Sequence, residues 1–369
     1  MSKSLFSRVE PPSTVLLASF GATTSIGLDA PMTVASARCG LTRFCEQNEL
    51  RNDTTGDPIV LALLPTLAEG STVTERMVAL AADAGREALR PWLEAARTEK
   101  LPPLPILLSV PPPRPGYPVD VAVSLAQAII QALPVELDRH RSGLFASGHA
   151  GGLSALAHAL ELLRDPHIPA CLVGGTDSPR VLPYLRWLDA QERLKRDGQP
   201  YGFIPGEGAG FLLVCRREFL TRHRWAPLAG IQRVAQALEP RLWYQGDATQ
   251  GEALTDAFWQ VLRPSEGAPL RADVTWCDFN GEPWRSEEWS FSYLRTGKYH
   301  GEPLDLRHPA DCWGDVGAAS APLLVGLAAS ELARDWDGHQ TALVWCASDV
   351  QPWRAACLLN RVPPKEVGP

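Results

Sequence analysis

Residues 145–156, Phe-Ala-Ser-Gly-His-Ala-Gly-Gly-Leu-Ser-Ala-Leu, set a single imidazole, His149, among small residues where a turn runs into a helix. A bend that delivers a side chain to a helix N-terminus is a place where enzymes mount a nucleophile, because the helix dipole favours negative charge there. A histidine is an odd occupant of that position, being a base or a donor rather than a ready thiolate. The plain alternative is that Gly148, Gly151 and Gly152 end a strand and start a helix, with His149 an ordinary hydrogen-bonded residue. Sulfur is present elsewhere: the eight cysteines are scattered without a C-x-x-C pair or metal-ligand spacing, which reads as free thiols in a reducing compartment. No metal site and no cofactor site is read from the sequence.

The elements that must position His149 follow from periodicity. Leu153, Leu156, Ala157, Leu160 and Leu163 recur at steps of three and four, so the stretch continues as a helix with one apolar face. Upstream, Ser13–Ala22 reads as a strand, 74–96 as an alanine-rich helix, Pro105–Val110 as a buried strand between proline-rich loops, and 119–133 as a helix. Strand patterns return at 142–147 and 169–178 and, after a turn, within 201–217, and strands alternating with helices imply a mainly parallel sheet covered on both faces. After the arginine-rich stretch 215–225 a similar order begins again. It has a strand-like start at 227–238, a helix at 251–262, a strand at 272–279, a small-residue helix at 317–333 and closing strands at 341–348 and 354–361. The division falls near residue 226, giving halves at 12–226 and 227–361.

Bulk composition excludes some classes. A chain of 369 residues with 45% hydrophobic content is long enough for a sizeable core. A net charge of −7 argues against a general nucleic-acid binder, which needs a basic face. The first residues lack the apolar core of a signal peptide, and the longest apolar runs are too short for a membrane span, so a cytoplasmic location without membrane insertion is expected.

Four stretches, in this order, resemble the thiolase-fold condensing enzymes, in particular β-ketoacyl synthases, over roughly residues 14–360. They are Val15–Ala30, the Gly-Gly-x-Asp strand end at 174–177, Gly202–Val214 with its Pro-Gly-Glu-Gly-Ala-Gly run, and Gly314–Ser320. The resemblance implies an α/β thiolase fold, five-layered αβαβα with two pseudo-symmetric halves, and a homodimer or heterodimer joined through a strand of the first half. It also implies where a cysteine nucleophile and two histidines should stand. The matching positions are His149, Asn280 and Gly314, and the late glycine-rich loop is matched by Ala347–Pro352. All of these landmarks are changed while the scaffold motifs are kept.

The chemical consequence is severe. A thiolate is the nucleophile that holds an acyl chain, whereas acyl-imidazoles hydrolyse readily. Losing one charge-stabilising donor commonly costs about 10² to 10³ in rate, and here both donors and the sulfur are exchanged. No residue is therefore assigned as catalytic. His149, Asn280 and Asp315 would converge in this fold, Cys277, Cys312 and Cys346 each lie near a loop expected to face the pocket, and Asp315 and Cys312 are the additional candidate pocket residues. The expected role is a binding, adaptor or accessory protein without condensing activity. The stretch Gly21–Phe44 also resembles compact ketosynthase-like proteins that accompany type VI secretion effectors and adaptors, which implies such a partner. The other reading is a chain-length-factor-like or acyltransferase subunit that touches an acyl carrier protein and pairs with an active ketosynthase. Ten of the twelve tryptophans lie after residue 224, so those rings either fill a tunnel, pack a core or face a partner. Gly174, Gly175, Gly206, Gly208 and Gly317 are read as structural, and Glu207 as a buried carboxylate holding its turn.

Overall fold

A computed structural model describes residues 14–363, apart from 53–54, 69, 246–248 and 264–268. The first half runs β1 (Val15–Thr24), α1 (Ala30–Arg38), β2 (Cys45–Arg51), β3 (Pro58–Leu61), α2 (Val73–Ala88), α3 (Arg90–Ala95) and β4 (Ile106–Ser109). It continues through α4 (Val119–Ala132), β5 (Gly143–Phe145), α5 (Gly151–Leu162), β6 (Ala170–Asp177), α6 (Leu182–Ala190), β7 (Gly208–Arg216) and α7 (Arg217–His223). The second half runs β8 (Ala229–Leu238), α8 (Glu252–Leu262), β9 (Val274–Cys277), α9 (Pro283–Thr296), β10 (Leu306–Arg307) and α10 (Ala310–Trp313). It closes with α11 (Ser320–Arg334), β11 (Thr341–Ala347) and β12 (Trp353–Asn360).

Sheet order carries the pseudo-symmetry. The strands run β10-β9-β11-β12-β8-β1-β7-β6-β4-β5, so β1-β7-β6-β4-β5 in one half is matched by β8-β12-β11-β9-β10 in the other. The two meet where Leu16 and Leu17 of β1 pair antiparallel with Gly230 and Ala229 of β8. In each half the third and fourth strands are parallel and the return strands antiparallel, as in β4 with β6 and β6 with β7. The hairpin β2-β3 stands apart.

Three apolar clusters fill the spaces between five layers. One joins α2, α3 and α4 to the outer face of the first sheet, and another joins α8 and α9 to the outer face of the second. The third, between the sheets, is built on α5 and α11. Every residue of α11 from Ser320 to Leu332 is buried, which explains its apolar and small character on all sides. Gly152 is required at the crossing of the two central helices: a Cβ there would lie 2.5 Å from Pro322 Cδ and 3.0 Å from Ala321 Cβ. This αβαβα layering is the architecture that the sequence resemblance implies.

Two expectations about particular side chains meet the structure differently. Glu207 is fully buried and accepts from Arg76 Nε at 2.9 Å, Leu64 N at 2.7 Å and Ser178 Oγ at 2.8 Å, so it does hold its turn. The tryptophans around the late loops do not form a surface. Trp276, Trp284, Trp289 and Trp313 are all buried, and Trp289 stacks on Trp345 at 5.7 Å within the second half's outer core.

Candidate functional site

The site is assembled where the inner ends of both central helices meet. Gly148, with φ +65°, opens a single 3-10 turn at 148–150 that feeds α5 and turns the His149 side chain inward. Ala150 N donates to Ser348 Oγ at 3.1 Å, and Ser348 donates in turn to Ser147 O, so the loop after β11 is tied across the start of α5. Asp315 is placed by a short parallel bridge: Asp315 N donates to Ile204 O at 2.8 Å and Gly206 N donates to Asp315 O at 2.7 Å. That close approach leaves no room at the preceding residue. A Cβ on Gly314, whose φ is +76°, would lie 2.6 Å from Ile204 O. An imidazole at 314 is therefore sterically excluded, and the polar group is presented one residue later by Asp315.

His149 Nε2 lies 2.8 Å from Asp315 Oδ1 and 3.0 Å from Oδ2. Asp315 also accepts from Asn280 Nδ2 at 2.6 Å and from Gly317 N at 2.9 Å, the pattern of an ionised carboxylate. Nε2 must then carry a proton and donate to it. Arg285 Nη2 lies 3.2 Å from the same nitrogen, which is consequently an approach of two donors and not a hydrogen bond. Arg285 is held there by Asp278 Oδ2 at 2.8 Å and Ala347 O at 2.6 Å, and its guanidinium sits 4.4 Å from the Trp284 ring.

Electrostatics then fix the charge state. Burial acts to lower the His149 pKa, but the carboxylates of Asp315 and, behind it, Asp349 together outweigh burial and Arg285 and raise it above the ordinary histidine value. Burial acts to raise Asp315, yet His149 and Arg285 hold it far below the usual carboxylate range. Nε2 is thereby committed to the Asp315 carboxylate, and the upward shift favours a second proton on Nδ1, where it would remove the lone pair needed to attack an acyl group. Among the described residues Nδ1 has no hydrogen-bond partner, and it stands 3.9 Å from Asp349 Oδ1. Asp349 is pushed down to about 2: burial opposes ionisation, and Arg193, whose Nη2 is 3.0 Å away, overcomes it. Arg193 donates as well to both oxygens of Glu282, at 2.7 and 3.0 Å.

A cavity of about 110 Å³ opens above this floor. Tyr184, Trp187 and Phe203 give it flat apolar walls, and Arg114, stacked 4.2 Å from the Tyr184 ring, closes one side through its pair with Asp177 at 2.6 Å. The structure thus brings His149, Asn280 and Asp315 together, and it does not bring Cys312 to them. That residue was expected to line the pocket. Instead the short turn of α10 directs it away, toward Ala37 O at 3.9 Å, and it lines a separate cleft with Trp276, Arg38 and Arg307. Cys277 and Cys346 are fully buried, and burial pushes both thiols well up. Among the described residues no cysteine lines the His149 cavity. Nor, among them, is any group of three or more His, Cys, Asp or Glu arranged to hold a metal ion. No described helix is long and apolar enough to cross a membrane.

Arg285, Arg193, Arg114 and Asp278 were not foreseen as site residues. Arginines in a chain this rich in them carry no distinguishing signal. The one available cue was the position of Arg285 two residues after Pro283, immediately past the segment Asn280–Trp284 that matches the family's second motif.

Comparison with known proteins agrees with this architecture. No family model matches the chain, and no curated protein matches it. Among solved structures it is similar to the ketosynthase of a type II PKS acyl-carrier protein complex bound to the hexaketide (AntDE:AntF), with a TM-score of 0.73 and 14% identity, covering 96% of this chain and 100% of that one. The ketosynthase from module 6 of the bacillaene synthase from Bacillus subtilis 168 gives a TM-score of 0.72 at 13% identity, over 95% of this chain and 72% of that one. The ishigamide ketosynthase/chain length factor gives 0.65 at 20% identity, over 95% and 100%. The chain therefore has the thiolase fold of ketosynthases. At these identities the likeness concerns fold alone.

Proposed function

We propose that this protein is a non-condensing thiolase-fold protein that acts by binding a protein partner. The observation that carries the reading is the His149–Asp315 pair. The side chain at the start of the central helix is an imidazole whose Nε2 is bound to a buried carboxylate, Gly314 leaves no space for a second imidazole, and no thiol of the described residues lines the cavity. The neighbours support an acyl carrier protein or an active ketosynthase as partner, since one is described in complex with an acyl-carrier protein and another as a ketosynthase/chain length factor. A type VI secretion effector or adaptor, which the N-terminal stretch suggests, is the competing assignment. Pairing as a dimer is assigned to the edge strand β5, where Leu144 is exposed. The protein is assigned to the cytoplasm.

The test is intact-mass spectrometry of the purified chain incubated with acetyl and longer acyl thioesters. The expected outcome is an unchanged mass and no carbon–carbon product; a stable acyl adduct sinks the reading. Binding titrations against a purified acyl carrier protein separate the two partner assignments.

A further inference from the structure

The floor of the cavity holds one polar atom without a partner among the described residues and, facing it, a carboxylate oxygen with room for a further hydrogen bond. His149 Nδ1 is buried and has no partner among the described residues, while its Nε2 is committed to Asp315. Facing it at 3.9 Å is Asp349 Oδ1, whose other contact is the Val350 N–H at 2.8 Å. The gap is too long for a direct hydrogen bond and suits an intervening group that accepts from one side and donates to the other. A hydroxyl does both. A carbonyl or carboxylate would satisfy Nδ1 and confront Asp349 with a second lone pair.

Charge narrows the class further. Each carboxylate on the cavity already has a cation: Asp315 has His149, Asp177 has Arg114, and Asp349 has Arg193. An anionic ligand would add to a network in which Asp349 and Glu282 already share Arg193, and a cationic one would have to settle against His149 and Arg114, which line the same cavity. Above the floor the faces of Tyr184, Trp187, Phe203, Pro179 and Pro205 ask for flat apolar surface. The volume of about 110 Å³ is on the order of the ~150 Å³ that admits one benzene ring.

We propose that this cavity binds a small uncharged ring compound bearing a hydroxyl group, with the hydroxyl bridging His149 Nδ1 and Asp349 Oδ1. The proposal rests on the reading above that His149 carries no acyl group.

Calorimetric titration of the full chain with phenol, cyclohexanol, benzene and benzoate tests it. Phenol or cyclohexanol should bind saturably, and benzene about tenfold more weakly, the loss expected from one hydrogen-bonded hydroxyl. Benzoate should bind more weakly than phenol. Val350→Phe, which fills the cavity and leaves the ion pairs intact, should abolish phenol binding; Asp349→Asn should weaken it while sparing benzene. Absence of saturable binding by either alcohol means that water alone fills the gap and overturns the proposal. Equal affinity for benzene and phenol, or phenol binding that survives Val350→Phe, overturns it as well. Phenol binding by a chain that also acylates would keep the site and remove only the non-condensing reading.

Discussion

Ser348, just past the last strand of the second half's parallel core, accepts the N–H of Ala150 at the start of the first half's central helix, at 3.1 Å. The reciprocal contact exists: Asp177, at the end of β6, accepts the N–H of Ala318 ahead of α11 at 3.0 Å. Each half thus caps the buried helix of the other, and both caps lie beside His149. A helix start buried between two sheets has no water to satisfy its amides, so this exchange is a condition of the fold. The residues differ in strength. Asp177 is ionic and also holds Arg114, whereas Ser348 is neutral and backed only by Ser147 O.

That asymmetry gives a stability prediction. Ser348→Ala should destabilise by about 1 kcal/mol, the usual value of a lost N-terminal cap. Asp177→Ala should destabilise by about 3 kcal/mol or more, because it also strands Arg114 in a site where it is nearly buried. Urea unfolding followed by circular dichroism measures both. Equal costs for the two variants contradict the assignment of unequal caps.

Arg76 and Glu207 give a second one. Both are almost completely buried and bonded through two guanidinium nitrogens. Glu207→Gln keeps the shape but leaves the guanidinium uncompensated, so a loss of about 3 to 5 kcal/mol is expected. The double variant Arg76→Met with Glu207→Gln should recover part of that loss, read as a higher urea midpoint than the single variant.

Much of the scaffold was legible because its residues leave no choice. The all-round apolar and small residues of Ser320–Leu332 admit only a central helix, and the β11 and β12 runs admit only buried strands. The helix α9 was missed because its buried face is largely polar: beside Trp284 and Trp289 it carries Arg285, Glu288, Ser292 and Thr296, all fully buried, so the apolar period is broken. Glu288 there accepts from Arg354 through both of its oxygens, at 2.6 Å each, an arrangement that only tertiary structure reveals. The same holds for the site. His149, Asn280 and Asp315 could be aligned through motif order, but the partners that set their charge, Arg285 and Arg193, come from segments with no readable pattern.

His300 supplies a prediction in pH. Its ring is buried against Phe258 and Trp289, with Thr275 and Thr296 hydroxyls each 3.2 Å from a ring nitrogen, and burial lowers its pKa to about 4. The unfolded chain takes up this proton near pH 6.5 and the folded chain only near 4, so stability is complete above about 6.5 and falls as pH drops through that window. The shift corresponds to about 3 kcal/mol at most. Unfolding free energies measured from about pH 7.5 down to 4 should show this slope in the native protein, and His300→Gln should flatten it. A slope unchanged by the substitution removes His300 as its source.

His149 contributes with the opposite sign. Its folded-state pKa is raised, so the stability it brings is complete below the unfolded value near 6.5 and is lost as pH climbs through the folded value. A proton titration followed by NMR of the imidazole should place its midpoint above the ordinary histidine value near 6.5. Asp315→Asn removes the carboxylate and leaves Arg285 3.2 Å from the ring, so the midpoint should fall below the ordinary value. The same variant separates charge from shape, since the amide that replaces the carboxylate still accepts through one oxygen. If its midpoint stays where the native one is, the pair with Asp315 does not hold the proton on His149. The bar to acyl chemistry would then have to lie in the missing sulfur alone.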